Sequence, residues 1–103
     1  MTPKPLIVHR LARNEAAAGW RWYHKWSSQV AADFDAEVAR TFEMIEQRPT
    51  SFPTYRKGTR RILLRKFPYF IVFCETRESW LVLAVAHVRR KPGYWQRRIP
   101  HPD

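Results

Sequence analysis

RRILLRKFPYFIVFCETRESWLVLAVAHVRR, residues 60–90, decides the fold. It holds three runs of strand-forming residues, Arg60–Lys66, Pro68–Cys74 and Trp80–His87, the last two rich in branched and aromatic side chains. Glu75-Thr76-Arg77-Glu78-Ser79 is a short polar joint, which predicts a β-hairpin between the last two runs. Pro68 stands where a strand can begin without losing a ladder bond. Alternation in the first run puts Arg61, Leu63 and Arg65 on one face and Ile62 and Leu64 on the other. With Ile62 and Leu64 turned to a core, Arg61 and Arg65 project from the open side of the sheet. In the last run Leu81, Leu83, Val85 and His87 alternate with Trp80, Val82, Ala84 and Ala86. Both sets are apolar, so alternation alone does not say which one faces the core.

Upstream the period changes from two to 3.6. Ala12, Ala16, Gly19, Tyr23 and Trp26 form one stripe of a helix beginning near Leu11. Ser27 or Ser28 can cap a second helix, in which Val30 or Ala31, Phe34, Val38, Thr41 and Ile45 repeat the spacing through Arg48. Pro49 ends it. Two helices with so short a joint make an antiparallel hairpin. Residues 49–59 (PTSFPTYRKGT) read as a loop, and Pro5–Arg10 (PLIVHR) as an opening strand. The expected order is β-α-α-β-β-β, an α+β domain with one antiparallel sheet of about four strands backed by the N-terminal helical hairpin. From about residue 91 the chain reads as an irregular C-terminal tail with a mobile extreme end.

At 103 residues the chain reads as a single domain, 1–103, able to bury about 65% of its unfolded surface. Its apolar stretches are too short to span a bilayer, and no leader pattern opens the sequence, so the expected location is the cytoplasm, with no membrane partner. One cysteine, Cys74, excludes an internal disulfide and reads as a small buried hydrophobe. His9, His24, His87 and His101 form no ligand pattern, so neither a metal nor another cofactor is expected.

Charge gives the functional direction. Nineteen Lys and Arg against nine Asp and Glu leave a net charge of +10. Residues 56–66 and 87–98 hold eleven of the basic side chains and no acid, whereas Asp33, Asp35, Glu37, Glu43 and Glu46 share one segment with Arg40. Such polarity calls for an anionic partner. The reading places the cations over a concave patch opposite the helical hairpin. Arg60, Arg61, Arg65, Arg89 and Arg90 are the candidate contacts to phosphate, with Tyr94 and Trp95 as stacking surfaces. His87 beside Arg89 and Arg90 has the make-up of an acid–base group at phosphate, with Tyr94 and Glu75 as accessories. No phosphate loop, two-metal carboxylate pair or Ser-His-Asp spacing is present. Among the aromatic residues of the first helix, Tyr23 and Trp26 are expected in the core, and Trp20, off that stripe, marks a contact site if exposed.

Several of these residues, taken in order, resemble the RelE/ParE superfamily of toxins from type II toxin–antitoxin modules, often labelled plasmid stabilisation proteins. They are Glu15 seven residues before Trp22-Tyr23, Phe34, Phe52-Pro53, the run from Arg60 to Phe73, LVLAVAHVRR from Leu81 to Arg90, and Pro92-x-Tyr94-Trp95. The resemblance covers about residues 6–98 and implies a bent antiparallel sheet backed by a helical hairpin. It implies a growth-arresting toxin held by a cognate acidic antitoxin that folds on binding, in a homodimer or a hetero-oligomer with the antitoxin. Members divide between ParE-like poisons of DNA gyrase, which break no bond of their own, and RelE-like ribosome-dependent, metal-independent mRNA endonucleases. Many nuclease members carry an Arg early in the third strand where this chain has Pro68-Tyr69-Phe70. The expectation therefore leans to the gyrase branch, with the mRNA endonuclease as the alternative. In that alternative His87, Arg61, Arg65, Arg90 and Tyr94 are the catalytic set.

Overall fold

Strands β3 (Tyr69–Glu75) and β4 (Trp80–His87) form the hairpin that the polar joint predicts, in a computed structural model that describes residues 3–101. The expected mobile end, at Pro102 and Asp103, lies outside the described residues. Upstream come β1 (Leu6–Val8), α1 (Arg10–His24), α2 (Ser28–Gln47) and β2 (Arg60–Leu63), and the sheet order is β1-β4-β3-β2. One expectation is corrected here: β1 runs parallel to β4, pairing Leu6 with Trp80 and Val8 with Val82, so the sheet is mixed. The helical hairpin starts and ends on the same side of the sheet, which lets β1 join the far edge as a parallel neighbour. The other pairs are antiparallel, as expected.

The helices start where the capping residues say. The His9 imidazole Nδ1 accepts from the Leu11 amide at 3.0 Å, and Ser27 Oγ accepts from the Val30 amide at 3.2 Å. Ala12 of α1 and Phe34, Val38 and Ile45 of α2 are buried against Ile71, Phe73, Val82 and Val85 of the sheet, and Gly19 and Ala31 are buried as well. Tyr23 packs on this core, meeting Phe34 and Phe67 at ring distances of 5.3 and 5.0 Å. Trp26 does not: α1 ends at His24, so the helical stripe no longer holds at Trp26, which is 76% exposed.

A bulge answers the question that alternation left open. Val72 faces Ala84 but Phe73 faces Val82, which leaves Leu83 as the extra residue of β4. Val82 and Val85 therefore both point to the helices, while Leu83, Ala84 and Ala86 point to the open face with Val72 and Cys74. Neither alternating set stays on one side.

The open face is roofed. Residues beyond β4, expected as an irregular tail, fold back over it, and Trp95 is wholly buried there against Tyr55, Val72 and Leu83. A single 3₁₀ turn at Gln96–Arg98 closes this segment.

Candidate functional site

Glu15 of α1 is where the roof is fastened. Because β1 is only three residues long, the outer edge of β4 has no strand neighbour past Val82. Glu15 Oε1 accepts from the Val85 amide at 3.0 Å, and Arg98 Nη1 donates to the Leu83 carbonyl at 2.9 Å. Arg98 also grips the carboxylate with both nitrogens, at 3.0 and 2.9 Å. The Tyr94 hydroxyl donates to Glu15 Oε2 at 2.9 Å, and Arg90 reaches the same oxygen at 3.3 Å while lying 3.7 Å from the Tyr94 ring centroid. Burial, together with the charge and hydrogen bond of Glu15, pushes the Tyr94 phenol far above its ordinary pKa, against the opposing pull of Arg90 and Arg98. Tyr94 is thus a fixed hydrogen-bond donor at neutral pH.

The remaining candidates are placed elsewhere. Arg61 lies exposed on the open face, as alternation predicts, with its guanidinium 4.4 Å from the Tyr55 ring centroid and 5.3 Å from that of Phe70. Arg60 faces the helix side and donates to the Phe52 carbonyl at 2.6 Å. Arg65 is corrected: β2 stops at Leu63, and the buried Glu37 carboxylate takes the amides of Arg65 and Lys66, turning the chain toward α2. Arg65 therefore stands in the β2–β3 turn, not on the open face beside Arg61. His87 pairs with Tyr69 on the helix side, its ring 5.1 Å from the Tyr69 ring, and its Nδ1 accepts from the exposed Arg89 amide at 3.1 Å.

The expected concave gathering of cations is corrected accordingly. The open face is filled by Tyr55, Phe70, Tyr94 and Trp95, with Arg61 on β2 and Arg90 and Arg98 near the β4 edge. Trp95, expected as a stacking surface, is 0% exposed and offers none. The structure brings Arg90 and Tyr94 together on Glu15, while the His87 ring packs on Tyr69 and its carbonyl accepts from the Arg90 amide at 3.0 Å. Sequence reasoning passed over the role of Glu15, Arg98 and Glu37. A lone acid in a basic chain was the available signal, since Glu15 has no other acid within fifteen residues on either side. The acids of α2 other than Glu37 are exposed, so the charge polarity is real.

A cleft of about 780 Å³ opens by the β3–β4 hairpin, lined among others by Ile7, Cys74 and Ile99 with Lys57, Arg77 and Glu78. Among the described residues no three His, Cys, Asp or Glu side chains gather as a metal site, and no helix is long and apolar enough to cross a membrane.

The family model described as ParE toxin of type II toxin-antitoxin system, parDE, matches residues 6–92. A solved structure, the chromosomal ParDE TA system from P. aeruginosa, superposes with a TM-score of 0.74 at 16% identity, covering 82% of this chain and 96% of that one. At that identity the likeness shows the fold. No curated protein matches the sequence.

Proposed function

From the premise that the chain belongs to the ParE toxin family of type II toxin–antitoxin systems, we propose that it arrests growth in the cytoplasm by binding DNA gyrase on DNA, without cleaving a bond itself. The observation that carries this reading is the engagement of the candidate catalytic groups. Tyr94 and Arg90 are both bound, with Arg98, to the Glu15 carboxylate, and burial beside that carboxylate raises the Tyr94 phenol well above its ordinary pKa. His87 lies on the other side of the sheet from Arg61. A phosphodiester needs its base, acid and cations within reach of one group, which Arg61 and His87 on opposite faces do not provide.

The partner that restrains the toxin is a cognate antitoxin with an acidic, partly apolar segment that folds on binding. The net charge of +10 and the half-exposed Ile7, Leu63 and Val88 support such a strap, and the cleft beside the hairpin offers it a seat. The RelE-like alternative retains one favourable feature, a partly exposed His87 next to the exposed Arg89 at the end of β4.

Purified gyrase with supercoiled plasmid tests the choice. The gyrase reading expects toxin-dependent linear DNA, undiminished by His87→Ala. Cuts in ribosome-bound mRNA that vanish with His87→Ala, with no gyrase cleavage complex, would establish the endonuclease instead.

A further inference from the structure

Three indoles at the far end of the helical hairpin serve no core. Trp20 is 37% exposed, Trp22 53% and Trp26 76%. Trp22 and Trp26 meet edge to face at 6.4 Å, and Lys25 Nζ lies 5.5 Å from the Trp22 ring centroid. On the other flank of α1, Trp20 stacks on His24 with ring centroids 4.5 Å apart and planes 17° from parallel. Aromatic surface of this size left in water points to a ligand.

The local charge says which chemistry that ligand has. Residues 16–32 contain Arg21, His24 and Lys25 and no acid. Planar apolar faces beside cations match a strand whose bases are unpaired: the base stacks on the indole and its phosphate meets the ammonium. A peptide partner asks for a groove to receive its side chains, whereas these indoles project from a helix end and the short joint after it.

We propose that this tryptophan knuckle binds single-stranded DNA, with bases stacked on Trp22 and Trp26 and phosphates held by Lys25 and Arg21. Stacking and charge carry the single-stranded assignment. The choice of DNA over RNA rests on the gyrase reading above, in which the toxin sits beside DNA that the enzyme has cut.

The test uses the purified full chain and fluorescence anisotropy with labelled oligothymidylate, oligouridylate and a DNA duplex, alongside tryptophan quenching. Oligothymidylate is expected to bind more tightly than the duplex and at least as tightly as oligouridylate. Trp22→Ala and Trp26→Ala each weaken it roughly ten-fold, and Trp22→Phe retains most of the binding. Lys25→Ala lowers the salt slope by about 0.7. Circular dichroism is expected to show all variants folded, since these side chains are exposed.

Binding of oligothymidylate that is undetectable, or unchanged in Trp22→Ala and Trp26→Ala, overturns the proposal. So does a defect of those variants confined to an acidic peptide or to anionic lipid vesicles. A ten-fold preference for oligouridylate overturns the DNA assignment alone. The gyrase cleavage assay is scored separately, so failure of that reading and failure of the knuckle are distinguishable.

Discussion

Glu15 and Arg98, separated by 83 residues, form a two-pronged ion pair that also bonds the backbone of Val85 and Leu83. A carboxylate and a guanidinium thus stand where a longer β1 would have supplied a carbonyl and an amide. Both side chains are largely buried, at 14% and 12% exposure, so removing either partner leaves an uncompensated charge and costs more than breaking a surface bridge.

Glu15→Ala strands the Arg98 charge, the Tyr94 hydroxyl and the Val85 amide together. The expected loss is about 3 kcal/mol in urea unfolding. The double variant with Arg98→Ala should lose markedly less than the two single losses summed, which a double-mutant cycle measures.

Gly19→Ala is expected to destabilise despite the helix propensity of alanine. A Cβ at Gly19 comes within 2.7 Å of the Phe34 ring and 3.3 Å of the Tyr69 hydroxyl. That ring is wedged among Tyr23, Phe67 and Tyr69 and has no room to retreat. Overpacking outweighs the propensity gain of about 1 kcal/mol, for a net loss of about 1–2 kcal/mol by thermal or urea unfolding.

Acid should weaken the fold through His9. Its pKa is lowered from 6.5 by desolvation first and then by the charges of Arg98 and Arg10, so the folded state prefers the neutral ring. The unfolded chain binds the proton at higher pH than the folded chain does. The contribution is therefore complete above about pH 6.5 and is lost as pH falls toward the lowered folded value. Protonation also removes the Nδ1 acceptor that caps α1. His9→Asn keeps a capping oxygen and should flatten this part of the stability–pH curve.

Trp95→Ala should cost about 3–5 kcal/mol, as expected for a large buried aromatic. Trp95→Phe should cost less, because the indole nitrogen finds no hydrogen-bond partner among the described residues. A surface stacking role would leave stability unchanged in both variants, so equilibrium unfolding decides.

Local pattern made most of the fold legible. Period and punctuation located both helices and the three C-terminal strands within a few residues, because caps, prolines and branched runs act over short range. What escaped was set by contacts distant in sequence. The bulge at Leu83 depends on the partner strand, the early end of β2 on Glu37 in α2, and the burial of Trp95 on Glu15 in α1. The candidate site fared worse for the same reason. A window of arginines announces charge, yet an acid far upstream determines which of them is already neutralised.

The stub of a first strand has a further consequence. A foreign segment seeking to zip onto the sheet beyond Val82 finds hydrogen-bonding positions at Leu83 and Val85 already claimed, and must first evict an ion pair to use them. That margin of the molecule is sealed against templated growth of like chains, by two side chains in place of a covering strand.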